Sequence, residues 1–307
     1  MTDYDSPWKE ILDLYFESFL AFCFPQIHRE INWSRGYELL DKELQQIVRE
    51  ADQGRRAVDL LVKVWLSDGR EAWVLIHVEV QTWSDQEFSK RMYVYHYRLY
   101  DRYNRSVVSL AVLGDDQMDW RPDRYGYTRW GCMVDFRFPM IKLLDYIDRI
   151  AELEIDRNPF AVVILTHLKT LETRGDQEQR RRWKIRLAKS LYERGYSRQQ
   201  VLHLFRFIDW IMDLPAHLEQ SFWLELRAFE QEKQMPFVTI AERFGREEGL
   251  REGLLAGIEI GLNLRFGASG QELLPEIQRV ADVDQLTTIL HSIQTVSSPA
   301  ELRRLWS

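Results

Sequence analysis

The chain has 307 residues, 45% of them apolar and 29% charged, which is enough apolar surface for about two domains of ~150 residues and too much for a disordered tail. Its 41 lysines and arginines against 48 aspartates and glutamates leave a net charge of -7, which excludes a generally basic coat and confines any nucleic-acid contact to local patches. Two cysteines, Cys23 and Cys132, are too few for a disulfide scaffold or a cysteine-rich zinc site, and no apolar run approaches the ~20 residues of a membrane span.

Met1 to Glu10 carries Asp3 and Asp5 where a signal peptide would be basic, so the expectation is a reducing, cytoplasmic compartment and no membrane partner. Residues 8–24 place apolar side chains at helical spacing, and Pro25 ends the pattern. A second helix is predicted over 36–50, with Leu39, Leu40, Leu44, Ile47 and Val48 on one side. The period then changes. Residues 57–66 (AVDLLVKVWL) and 71–81 (EAWVLIHVEVQ) read as strands, joined by Ser67-Asp68-Gly69-Arg70 into a β-hairpin.

A helix over 85–103, a buried strand over 107–113 and a strand over 132–138 complete an α/β layout in which helices cover the sheet. From about residue 141 the pattern is all-helical, with helices over 141–153, 159–173, 176–194, 198–213 and 215–233. Glycines recur at every fourth position from Gly245 to Gly261, a side-chain-free stripe on a helix despite a cost near ~1 kcal/mol per glycine. Such a stripe suits either a hinge or a self-association helix, and it underlies the expectation of a homo-oligomer.

The residues that point to chemistry lie in the hairpin. Side chains alternate along a strand, so His77, Glu79 and Gln81 share one face of an otherwise apolar segment, where polar groups are costly unless satisfied or bound. His77, between Ile76 and Val78, suits a core or site-edge position and is given no catalytic role. Asp59 joins Glu79 in one of two registers. A two-residue turn sets Asp59 on the Val78 face, whereas a three-residue loop, Asp68-Gly69-Arg70, sets it opposite Glu79. Asp-Gly suits both turns.

In the second register two carboxylates meet, and a hard divalent cation such as Mg²⁺ relieves their repulsion. Asp59 and Glu79 are then metal ligands, the Val80 carbonyl and Glu43 are further candidates, and Gln81 orients water or phosphate. Lys63, on the Asp59 face, is either a source of positive charge or a strand-end lysine reaching solvent. On the helix that follows, Arg91, Tyr95, Arg98 and Arg102 fall at i, i+4, i+7 and i+11 and are candidates for phosphate contact. A second basic run, Arg180, Arg181, Arg182, Lys184 and Arg186 around Trp183, reads as a solvated helix face or a backbone grip.

Asp59 followed by an apolar strand ending in Glu79-Val80-Gln81 resembles the PD-(D/E)XK nuclease core in the variant with glutamine at the usual lysine position. The wider text VDLLVKVWLSDGREAWVLIHVEVQ, with FSKRMYVYHYRLYDRYNRSVVSLAVL after it, is similar to the recombination-promoting nuclease (Rpn) family of transposase-like proteins over about residues 8–140. The tail from Leu262 resembles a short C-terminal domain of unknown function that accompanies such nucleases.

The resemblance implies a restriction-endonuclease-like core over 1–140, a helical domain over 141–240 and a small helical module over 241–307. It implies a hydrolase, a Mg²⁺-dependent endonuclease cutting DNA phosphodiester bonds and linked to recombination or mobile elements. In that family Asp59 and Glu79 correspond to metal ligands, Gln81 to the lysine position and Glu43 to a helix carboxylate. Glutamine carries no charge to stabilise a crowded phosphorane, so more falls on the metal. The alternative is a degenerate nuclease fold that acts as a DNA-binding or oligomeric interaction module.

Overall fold

A computed structural model describes residues 7–40, 58–68, 73–81, 84–280 and 282–304, with only the backbone described at 58–59, 73–81, 240–249 and 283–284. The chain divides into two compact units, Met1–Phe229 and Glu230–Ser307. The change from strands to helices near residue 140 is therefore not a boundary between units.

The first unit is mixed α/β. Three short helices open it: α1 (Pro7–Leu14), α2 (Phe16–Cys23) and α3 (Pro25–Glu30). The single helix expected over 8–24 is interrupted at Tyr15, and Pro25 starts a further helix, because proline at the first helical position has no amide to leave unpaired. The helix expected over 36–50 is overturned at its start: residues 38–39 form β1, a short edge strand paired with Lys63 and Val62. The Leu40 amide donates to the Leu61 carbonyl at 2.8 Å, so backbone pairing with the neighbouring strand outcompetes the local helical pattern. Residues 41–50, including Glu43, lie outside the described residues.

Strands β2 (Val58–Trp65), β3 (Trp73–Gln81), β4 (Val107–Leu113) and β7 (Met140–Lys142) complete a five-stranded sheet of order β1-β2-β3-β4-β7. The first two pairings are antiparallel, and β3–β4 and β4–β7 are parallel. Helix α4 (Phe88–Tyr103) makes the crossover from β3 to β4, as a parallel pairing requires. It packs Leu99 on Leu61 at one end, and Phe88 and Met92 on Ala111, Leu113 and Phe138 at the other. Leu60, Val62 and Val64 are fully buried on the opposite face of β2, and α1 lies against that strand.

Between β4 and β7 a separate two-stranded ribbon, β5 (Arg124–Arg129) with β6 (Cys132–Arg137), folds over α4. The sequence pattern predicts β6 but not β5 or β7. From residue 143 on, the described residues carry no strand. A 3₁₀ turn over Leu143–Arg149 stands where the helix 141–153 was expected to begin. It leads into α5 (Ile150–Ile155), α6 (Pro159–Glu172), α7 (Gln177–Glu193), α8 (Arg198–Ile211) and α9 (Ala216–Lys233). Helix α6 is buried nearly all round, consistent with the continuous apolar run PFAVVILTHL. Side-chain oxygens of Asn158, Asp176 and Ser197 accept amides at the starts of α6, α7 and α8.

The second unit is built on the thirty-residue helix α10 (Phe237–Phe266), followed by α11 (Ala268–Gln271), α12 (Leu274–Ile277), α13 (Val283–Ser292) and α14 (Pro299–Arg303). Leu254, Ile258 and Leu262 pack with Ile277, Leu286, Ile289, Ile293 and Leu302 into its core. The fully buried Glu230 carboxylate accepts the Val238 amide at 2.7 Å and the Thr239 amide at 3.2 Å, closing the start of α10 with an anion.

Part of the glycine stripe has its partner inside this unit. A Cβ added at Gly257 would lie 3.5 Å from Leu290, and one at Gly261 would lie 3.4 Å from Ile293, whereas Gly253 faces open space. The close approach that the stripe permits is thus made, at Gly257 and Gly261, by the chain's own α13 segment. Among the described residues no helix is long and apolar enough to cross a membrane.

Candidate functional site

The β2–β3 register is Asp59 opposite Glu79, Leu61 opposite His77 and Trp65 opposite Trp73. This is the longer-loop register, and it sets the two acidic residues on one face of the sheet as a direct cross-strand pair. Gln81 lies two residues on from Glu79, on the same face, and its Cα partner on β4 is Leu113. Val80 lies between them on the opposite face, across from Val58 and beside Val112. The Cα partner of Glu79 on β4 is Ala111, a fully buried small residue at the edge of the Phe88–Met92–Phe138 cluster. His77 lies beside Ser109, whose hydroxyl is 3.2 Å from Nδ1 of His96 on α4.

The donor set is one that a hard cation prefers. Two carboxylate residues from adjacent strands and a backbone carbonyl offer only oxygen, and cross-strand partners have Cβ atoms about 4.5–5.5 Å apart, a span that one Mg²⁺ bridges. Among the described residues no group of three histidine, cysteine or acidic side chains is arranged to hold a metal. Lys63 does not stand apart as a source of positive charge. Its ammonium donates to Glu38 Oε2 at 2.8 Å and lies 4.9 Å from the Trp65 ring centre.

The basic face expected on α4 is corrected by packing. Arg91 is 5% exposed and Tyr95 1% exposed, because they flank Phe88, Met92 and Leu99 on the side turned to the sheet. The Arg91 guanidinium is held 2.6 Å from Asp85 Oδ2. Arg98 is half-buried, so Arg102 alone of the four is well exposed. The first half of the stripe, Arg91 and Tyr95, is thus the inner edge of a packed helix, and its exposed end is Arg102.

The second basic run is largely committed to internal ion pairs. The buried Lys184 ammonium lies 2.7 Å from Asp209, Arg181 reaches Glu178 and Glu225 at 3.0 and 3.1 Å, and Arg186 reaches Glu154 at 2.6 Å. Trp183 carries Lys169 at 4.2 Å and Arg186 at 4.8 Å from its ring centre. Arg182 remains exposed.

Two buried polar groups stand close to the end of β4. Lys142 on β7 donates to both oxygens of Asp115, at 2.7 and 2.6 Å, and to the Trp120 carbonyl at 3.2 Å. His167 on α6 donates from Nε2 to the Gly114 carbonyl at 2.6 Å, and burial holds its proton affinity below the usual histidine range. Together they tie the β4 end to β7 and α6.

The sequence reading missed the surface of the β5–β6 ribbon. Its tip is Trp130-Gly131, with Trp130 97% exposed, and its strands carry Arg124, Arg129 and Arg137. The available signal was the alternation in RYGYTR and the tight Trp-Gly before CMVDFR, concealed because asparagine or aspartate ordinarily precedes glycine in such a turn. No protein-family model, no curated protein and no solved structure matches the chain.

Proposed function

We propose that the chain is a divalent-metal-dependent DNA endonuclease with a restriction-endonuclease-like core. The observation that carries this reading is the Asp59–Glu79 cross-strand pair with Gln81 on the same face. Its setting supports the same reading: a helix-rich start, an antiparallel run β1-β2-β3, a helical crossover and a parallel β4.

In this function Asp59, Glu79 and the Val80 carbonyl hold the cation, which when bound polarises the phosphate and makes water a better nucleophile. Gln81 supplies an amide that donates to a phosphate oxygen or orients the attacking water. It adds no net charge. Gln81 in place of a lysine is the feature that favours the second reading, a degenerate core that binds DNA without cutting it.

Conversion of supercoiled plasmid to the nicked form by purified protein, with and without Mg²⁺, separates the two. The expected result is metal-dependent nicking that is lost in Asp59→Ala and reduced about a hundredfold in Gln81→Ala, the scale of losing one oriented donor. Calorimetric Mg²⁺ binding is expected to vanish in Asp59→Ala and to persist in Gln81→Ala. Nicking that survives Asp59→Ala overturns the assignment, and protein that binds DNA without nicking it leaves the second reading.

A further inference from the structure

We propose that the β5–β6 ribbon is the element that engages duplex DNA, with its arginines on phosphates and Trp130 against base edges at the groove floor. The inference rests on the DNA reading above and names the surface that serves it.

Two local features of the ribbon are unfavourable within the fold. Trp130 and Gly131 are the central residues of a two-residue turn between the paired Arg129 and Cys132, with φ of 50° and 82°. A turn with both central residues at positive φ suits Asn-Gly, whereas a bulky aromatic is disfavoured there. Trp130 is also almost wholly exposed, so burial does not offset the strain. At the root, Arg124 and Arg137 are direct cross-strand partners, a like-charge pair that destabilises a ribbon unless an anion lies near it. Asp135, 3.4 Å from Arg137, relieves only one of the two. A duplex, with its phosphates and the base edges of its groove, offsets both costs.

The ribbon is held rigidly enough to act as a probe. On its inner face Tyr125 stacks on Tyr93 of α4, with centroids 5.1 Å apart, and Phe136 packs on Tyr93 and His96 at 5.7 and 4.6 Å. Phe136 and Phe138 join the cluster that contains Ala111, the strand partner of Glu79, so the ribbon is rooted beside the candidate metal face. Strands of six residues at about 3.3 Å each reach about 20 Å, and a two-stranded ribbon fits a major groove about 12 Å wide.

The Arg129 guanidinium lies 5.3 Å from the Trp130 ring centre, so the tip presents a cation together with an aromatic surface. On a chain of net charge -7, such a local cationic element is what allows approach to a polyanion. An apolar protein groove would accept Trp130 but would leave the paired arginines without a partner.

The test uses the full chain in EDTA, so that binding is read without cleavage, by fluorescence anisotropy of a labelled duplex. Trp130→Asn removes the aromatic and installs the preferred turn residue. Its thermal midpoint is expected to equal or exceed the wild type, while duplex affinity falls about five- to hundredfold, the range for losing the contacts to one base pair. Trp130→Phe is expected to restore most of the affinity, and the double variant Arg124→Gln/Arg137→Gln to reduce the salt slope by about two phosphate contacts.

Wild-type affinity in a folded Trp130→Asn overturns the proposal. So does a Trp130-dependent interaction that appears with anionic phospholipid vesicles and not with DNA. If Trp130-dependent binding holds while plasmid is not nicked in Mg²⁺, the ribbon proposal stands and the endonuclease reading falls. If nicking is lost in Asp59→Ala while Trp130→Asn binds normally, the reverse is concluded.

Discussion

Replacing Lys142 by methionine tests how the sheet end beneath the ribbon is held together. The lysine and Asp115 side chains are 0% and 1% exposed, and the ammonium meets both carboxylate oxygens and the Trp120 carbonyl. Lys142→Met leaves the carboxylate buried with the Gln117 amide, 2.9 Å away, as its remaining described donor. Removing one partner of a buried pair costs about 3–5 kcal/mol, which is about a hundred- to five-thousandfold in the unfolding equilibrium.

In urea, followed by tryptophan fluorescence, a slope of about 3 kcal/mol per M turns this into a midpoint lowered by about 1–1.7 M. The double variant Asp115→Leu/Lys142→Met removes both charges and is expected to recover to within about 1–2 kcal/mol of the wild type, the remainder including the lost Gln117 bond. A single variant that loses less than about 1 kcal/mol would refute the reasoning, since that is the behaviour of an exposed pair. A double variant no better than the single would refute it equally.

Stability is expected to fall in mild acid through His167. Its folded pKa lies below the ordinary histidine value of about 6.5, chiefly because of burial. The ring is neutral in both states above that pH; below it the unfolded chain binds a proton that the fold refuses, and stability drops by at most about 1.4 kcal/mol per pH unit. His167→Phe is expected to flatten the slope of unfolding free energy below pH 6.5, and an unchanged slope would reject the assignment. In the second unit, Gly253→Ala is expected to raise stability by about 0.5–1 kcal/mol because its added methyl meets open space, whereas Gly261→Leu is expected to lower it by about 1–3 kcal/mol against Ile293. Thermal melts of the full chain measure both, and equal midpoints would reject the intramolecular role of the stripe.

Local periodicity determined much of this protein from the sequence alone: the β2 and β3 strands, the α4 and β4 segments after them, and the run of helices from α6 to α9. Alternation along β3 also put His77, Glu79 and Gln81 on one face before any fold was known, because that needs only the two-residue repeat of a strand. The register of Asp59 was different. Both hairpin loops satisfy the same Asp-Gly turn chemistry, and the choice depends on how whole strands align within the sheet.

Tertiary packing alone decided which polar residues were available. Arg91 and Tyr95 share a helical stripe with Arg98 and Arg102, yet the helix buries that edge against the sheet, and spacing along a helix does not say which way it is turned. Lys142 and Asp115, 27 residues apart, and Gly261 and Ile293, 32 apart, meet only through the fold. Strand β5 escaped because its turn is Trp-Gly and its outer face is solvated. A short ribbon takes its strand conformation from its partner β6 and from Tyr93 beneath it, and both are non-local facts.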